Sequence, residues 1–292
     1  MSKPKTDNAS LSATTQIPQN EHPAKLSQYT GLEHLPAAAR FPSVVNPLSI
    51  RVQDGTDGTF PAFLHLPENY QNQQSTAAIL LSGAGGGVVG PSSIYLSMAD
   101  KLASLQHGLP VLRMDYRFPA RNKCCVPDVL AAMDYLQAQH NVKRFVLIGW
   151  SFGGAPVFTV GGQDSRVVGC ATVASQTAET EGIRAIGRRS VPVLLLHGTG
   201  DRILSSQCSE RLYNMYGSKG QRKAHYFDGD DHALTRNSAE AEKMLCEFIT
   251  GIAGLKLESV EREMVNRSLV DEGDKTEAMK RGGDLRGAES IE

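Results

Sequence analysis

A strand of apolar residues, Phe145–Ile148, runs directly into Gly149-Trp150-Ser151-Phe152-Gly153-Gly154, and a helix-compatible run follows. This is the pattern G-x-S-x-G in strand–turn–helix context, which constrains the chain more than any other feature of its sequence. A chain that reverses from strand to helix within so few residues holds the central serine in a strained backbone conformation, with its hydroxyl at the sheet edge. Glycines two residues before and after remove the Cβ atoms that would collide at that close approach. The first turn of the helix aims backbone N–H groups at any negative charge that develops there. The alternative reading is a plain Gly/Ser turn, and the flanking strand and helix weigh against it.

The rest of the chain is consistent with a mostly parallel sheet flanked by helices. Short β-prone runs at Leu48–Gln53 and Phe60–Leu66 bracket Asp54-Gly55-Thr56-Asp57-Gly58, which reads as a hairpin supplying antiparallel edge strands. Strand-like runs at Ala77–Leu81, Pro110–Tyr116, Arg144–Gly149, Val167–Val173, Val191–Leu196 and Lys223–Phe227 alternate with helical spacing. The helical segments are Ser93–Gln106, Pro127–Gln139, Phe152–Val160, Ser205–Tyr216 and Ser238–Ile252. Alternation of this kind predicts an α/β fold. The near-continuous apolar character of Val191–Leu196 suits a strand covered on both faces.

Residues 1–40 are polar and lack sustained periodicity, so they read as a disordered tail; 41–254 read as the α/β domain. Residues 255–292 are mixed-charge and read as disordered or partly helical, with a frayed helix over Leu257–Val270 and disorder beyond it. With 40 % apolar residues the chain can bury a substantial core, and a formal net charge of −1 provides no field to attract nucleic acid or an anionic membrane. The N-terminus has no apolar signal segment, and no apolar run approaches the roughly 20 residues that span a bilayer. The expected location is the cytoplasm. Five cysteines without regular spacing, and with no CxxC pair, argue for reduced thiols and against a disulfide framework or structural zinc.

A serine hydroxyl needs a base to take its proton. With a nucleophile on such a turn, the base follows it in the chain, leaving His197, His225 and His232. His232 lies in Asp228-Gly229-Asp230-Asp231-His232 between the last strand and the last helix, on the edge where α/β proteins collect their sites. His225 falls inside a strand and reads as a packed or surface residue. His197 reads as a turn former, and His140, ahead of the serine, as a surface residue at a helix end. Asp201, in His197-Gly198-Thr199-Gly200-Asp201, is the candidate that orients the imidazole. Asp164, Asp228, Asp230 and Asp231 read as loop or capping carboxylates.

Two N–H donors are needed for an oxyanion. Phe152, after the serine, supplies one. Ala84 supplies the other from Ser82-Gly83-Ala84-Gly85-Gly86-Gly87, with Gly85 as the alternative. These glycines do not make a phosphate cradle, because no Lys-Ser/Thr pair follows, and the third glycine of a dinucleotide fingerprint is missing. Gly85 and Trp150 are candidate substrate-binding residues; for Trp150, Phe152 and Tyr95 core packing is the competing reading.

Over roughly Leu48 to Gly254, the chain resembles the α/β-hydrolase superfamily, nearest to its small, dienelactone-hydrolase-like branches. Gly149–Gly153 matches the nucleophile turn, His197–Asp201 the acid loop, and Gly229-Asp230-Asp231-His232 the histidine loop. Arg113-Met114-Asp115-Tyr116-Arg117 looks like the end of the family's second parallel strand. The resemblance implies an α/β-hydrolase fold with a minimal cap, since only Ala174–Ser190 is available for one and Thr177–Gly187 fits a single short helix. It also implies an open cleft, no metal or organic cofactor, and hydrolysis of a small-molecule or acyl-carrier-linked ester or thioester through an acyl-enzyme. Peptidase and acyltransferase variants stay open, as does a non-catalytic binding protein on this fold. Two residues depart from the family. Many members carry His-Gly where this chain has Ser82-Gly83, so the support of that loop is not carried over. Dienelactone hydrolases proper use cysteine where this chain has Ser151, so neither is their substrate.

Overall fold

The structure, a computed structural model, describes residues 24–35 and 42–286. What the sequence suggests for residues 1–23, 36–41 and 287–292 lies outside the described residues. In chain order the elements are β1 (Ser43–Val52), β2 (Gly58–Pro67), β3 (Thr76–Leu81), α1 (Ile94–Ala103), β4 (Val111–Met114), α2 (Asn122–His140), β5 (Arg144–Trp150), α3 (Gly154–Gln163), β6 (Val167–Val173), α4 (Ile183–Arg188), β7 (Val193–Gly198), α5 (Gln207–Tyr216), β8 (Arg222–Phe227), α6 (Ser238–Ala253), α7 (Ser259–Val265) and α8 (Lys275–Gly282).

One eight-stranded sheet runs in the order β1-β2-β4-β3-β5-β6-β7-β8. β1 and β2 pair antiparallel, as does β2 with β4; the remaining neighbours are parallel. The hairpin is therefore an antiparallel edge on a parallel sheet, as its Gly/Asp turn predicts. Arg117 clamps that turn, donating to both carboxylate oxygens of Asp54 at 3.0 and 2.7 Å and to Thr56 O at 3.0 Å, while its Nε reaches Asp128 at 2.5 Å. The central strands β3, β5 and β7 are buried on both faces because helices cover both sides. α1, α6, α7 and α8 pack on one face; α2, α3, α4 and α5 pack on the other.

The structure departs from the sequence reading in three places. α2 begins at Asn122, so Pro127 lies inside the helix instead of opening it. Residues 24–35, read as part of a disordered tail, form a turn over Leu26–Tyr29 that buries Tyr29, Leu32 and Leu35. Residues beyond 270, also read as disordered, carry α8, whose Met279 enters the core. Apolar anchors offset the charge of both segments: Met264, Val265, Leu269 and Val270 are buried as well.

Candidate active site

β5 ends at Trp150, and Ser151–Gly153 form a short 3-10 turn before α3. Ser151 has φ 54°, a left-handed conformation that costs on the order of 1 kcal/mol or more for a non-glycine residue. The surroundings impose it. A Cβ on Gly153 would lie 2.6 Å from Leu81 O and 2.7 Å from Ser82 O at the end of β3, and one on Gly149 would collide with the Gly153 carbonyl. Both obstacles are backbone and cannot move aside. Gly153→Ala is therefore expected to destabilise the fold by about 2 kcal/mol, read as a lower denaturant midpoint with an unchanged slope.

β7 ends at Gly198 and β8 at Phe227, so the acid and histidine loops leave the sheet side by side. They are bonded to each other: Thr199 N donates to Phe227 O, and Gly200 N to Asp230 O, both at 2.9 Å, and Gly229 N donates to Thr199 Oγ1 at 2.7 Å. The competing aspartates hold these loops. Asp230 accepts from the backbone N–H groups of Asp231 (2.9 Å), Arg236 (3.1 Å) and Asn237 (3.0 Å). Asp231 accepts from Ala233 and Thr235, each at 3.0 Å. Asp228 accepts from Thr199, and Asp164 pairs with Arg166. Each is a loop carboxylate, as its position suggested.

Cross-bonding the loops brings Asp201 to His232. His232 Nδ1 donates to Asp201 Oδ2 at 2.7 Å, and both side chains are buried. That bond leaves the proton-accepting lone pair on Nε2. Asp201 Oδ1 accepts from Ile203 N and Leu204 N, both at 2.8 Å. Burial alone would raise the Asp201 carboxyl; hydrogen bonds from His197 and His232, His232's charge and the Leu204 N–H outweigh it and hold the group well below the usual carboxylate range.

His197 is the contributor that its position in the sequence did not reveal. Its Nε2 donates to Leu204 O at 2.9 Å and to Asp201 Oδ2 at 3.1 Å, while Nδ1 faces Ser209 Oγ at 2.7 Å. It braces the same carboxylate oxygen that His232 holds. The Ser209 bond, twelve residues on, carries no sequence signal. His225, in β8, and His140, at the end of α2, take no part in this network.

The two residues expected to bind substrate are placed differently from that expectation. Trp150 is fully buried; its Nε1 donates to His232 O at 3.0 Å and its ring lies tilted against the imidazole, centroids 5.5 Å apart. It supports the histidine from the core. Gly85 faces the Arg286 backbone. Among the described residues the site is closely packed, with Ser151 4 % exposed and His232 fully buried, tighter than the open cleft expected from the sequence. Ala174–Ser190 carries only α4, which packs on α3 and α5, so the segment covering the Ala84 loop comes from the C-terminus instead.

Ala84 lies in a tight turn, with Gly86 N donating to Gly83 O at 3.0 Å, immediately after β3 and beside β5. No group of residues suited to holding a metal ion occurs among the described residues, and no helix there is long and apolar enough to cross a membrane.

A family model described as the alpha/beta hydrolase fold matches residues 77–185. A Salmonella typhi protein, YfhR, itself uncharacterized, is 31 % identical over 140 residues; the match takes in 35 % of this chain and 46 % of that protein, so under half the relative's length is spanned. Among solved structures, Est1E from Butyrivibrio proteoclasticus superposes with a TM-score of 0.56 at 15 % identity, over 71 % of this chain and 99 % of that one. A Klebsiella pneumoniae protein assigned as a dienelactone hydrolase gives 0.57 at 12 % identity, over 72 % and 98 %. A serine hydrolase without a lid from Xanthomonas campestris gives 0.54 at 17 %, over 73 % and 96 %. With the sheet order, the serine turn and the match over residues 77–185 in agreement, the chain has the α/β-hydrolase fold.

Proposed function

We propose that the protein is a serine hydrolase that cleaves a carboxylic ester or thioester of a small molecule or an acyl carrier through an acyl-enzyme on Ser151. The observation that carries this reading is the 2.7 Å bond from His232 Nδ1 to a buried carboxylate, on the sheet edge where Ser151 sits in its strained turn.

In this mechanism, His232 Nε2 takes the hydroxyl proton as Ser151 Oγ attacks the carbonyl carbon. The N–H groups of Phe152 and Ala84 bind the oxygen as it becomes negative. The imidazolium, held by Asp201, passes its proton to the departing alcohol or thiol. Water then gives a proton to His232 and attacks the acyl-enzyme, and collapse of the second tetrahedral intermediate returns that proton to Ser151 and frees the acid. Neither step calls on a group beyond these side chains and amides.

The test joins labelling to turnover. A fluorophosphonate probe is expected to label the wild type and not Ser151→Ala, and a panel of short- and long-chain acyl esters and thioesters should contain at least one that only the wild type cleaves. A wild type that neither takes the probe nor turns over any member of the panel would leave a binding protein on a hydrolase fold.

A further inference from the structure

The carboxylate of Asp284 sits inside the loop that carries Ala84. Its Oδ1 accepts from Ser82 Oγ at 2.7 Å and from Gly90 N at 2.8 Å, and its Oδ2 accepts from Val89 N at 3.0 Å. All three donors belong to the one segment, Ser82–Gly90, and both Ser82 and Asp284 are fully buried. The neighbouring backbone is bonded too, Val88 N donating to Gly282 O at 3.2 Å. At the far side of the turn Gly87 N donates to Asp115 Oδ1 at 2.9 Å, and Arg286 Nη2 holds Asp115 Oδ2 at 2.7 Å. Tyr29 OH also donates to Asp115 Oδ2. The turn is therefore gripped at both ends from residues 284–286.

Packing leaves no slack. A Cβ on Gly87 would fall 2.5 Å from Asp284 Cγ, and one on Gly85 would collide with the Arg286 backbone. The grip is anchored at a distance: Ser93 Oγ donates to Lys275 O at 2.9 Å, and Lys275 Nζ donates to Ser238 Oγ at 2.7 Å. A segment that merely covered apolar surface would have no reason to bury a carboxylate, which costs several kcal/mol unless its oxygens are satisfied. Burial pushes the Asp284 carboxyl up to about 7 against the hydrogen bonds from Ser82, Gly90 and Val89, with Asp115 adding to the rise.

We infer that Asp284 is a positioning residue that fixes the Ala84 amide for the oxyanion, through Ser82 Oγ and the Val89 and Gly90 N–H groups. The buried Ser82 hydroxyl has Asp284 Oδ1 as its acceptor. The inference rests on the serine-hydrolase reading, because only that reading gives the Ala84 N–H an oxyanion to bind. An oxyanion donor is worth about 10²–10³-fold in kcat, and displacing one costs part of that.

The experiment measures kcat, KM and the fluorophosphonate labelling rate of the full chain carrying Ser82→Ala, Asp284→Asn or Asp284→Gly. Glu277→Ala, on the exposed side of α8, is the control. Expected are a loss of roughly 10-fold in kcat for Ser82→Ala and 10- to 100-fold for the Asp284 variants, with KM within about twofold of wild type, and a wild-type control. Added formate, filling the place of the missing carboxylate, should restore at least part of the kcat of Asp284→Gly and none of that of Ser82→Ala. A purely structural role would lower the amount of folded enzyme and leave kcat per labelled serine unchanged, and that result overturns the inference. Should the Asp284 variants fail to fold, Ser82→Ala decides alone: wild-type kcat overturns the inference, and a lowered kcat at constant KM supports it. A wild type that neither labels nor turns over defeats the hydrolase reading itself, and the inference with it. A wild type that does both while every variant matches it defeats only the inference.

Discussion

Ser151→Ala is expected to lower kcat by about a millionfold on any ester that the wild type cleaves, while the thermal midpoint moves by no more than a few degrees. The rate loss is large because the remaining groups have no nucleophile to serve: His232 would have only water to activate, and water is not held where the hydroxyl was. The fold should survive because alanine accepts the same left-handed backbone at a cost close to that of serine. The strain belongs to the turn between β5 and α3, set by Gly149 and Gly153 against the end of β3, and the hydroxyl does not create it. Single-turnover kinetics with circular dichroism on the same samples check both halves. A variant that kept even a hundredth of the rate would remove Ser151 from the reaction.

Asp201→Asn is expected to cost roughly 10⁴-fold in kcat. An amide in that place offers one oxygen to two imidazoles, His197 Nε2 and His232 Nδ1, which now share Oδ2. If its nitrogen turns toward His232, the ring must present a lone pair at Nδ1, so Nε2 carries the proton and can no longer accept one. His197→Phe should cost much less, about 10-fold, because it removes one hydrogen bond to the charged carboxylate and leaves the His232 tautomer in place. A pH dependence of stability follows from the same carboxylate. Its folded pKa lies below the unfolded value, so its contribution is fully present above about pH 4 and is lost as pH falls through the folded pKa. Wild-type stability should therefore drop on acidification in a way that Asp201→Asn does not reproduce, which urea unfolding between neutral and acid pH will measure.

The parts of this molecule legible in its sequence are those whose geometry is local. The turn around Ser151 is written in five consecutive residues, and a strand that ends in Gly-Thr-Gly-Asp or Gly-Asp-Asp-His puts its carboxylate or imidazole at the sheet edge whatever the remainder does. Support from a distance was not legible. His197 braces Asp201 only because Ser209 and the Leu204 carbonyl hold its ring, and Trp150 binds the His232 carbonyl across the core. The C-terminal segment was harder still. Glu277, Lys280 and Arg281 give α8 a solvated face that reads as a charged tail, and a lone Met279 is a weak sign of docking. Its strongest bonds are polar and buried, which no hydropathy pattern reveals. The apolar residues Met264, Val265, Leu269 and Val270 were the available signal, recurring at intervals of four to five along a stretch otherwise rich in charge.

The Ser82–Asp284 bond joins residues 202 positions apart. On a ribosome the serine turn, the histidine loop and most of the sheet emerge well before the residue that locks the Ala84 turn. A nascent chain can thus acquire nearly all of its shape while still lacking that lock. If Asp284 acts as inferred, a protease that removes residues 275–286 would return the chain to the same condition, with all eight strands in place and the Ala84 turn unlocked.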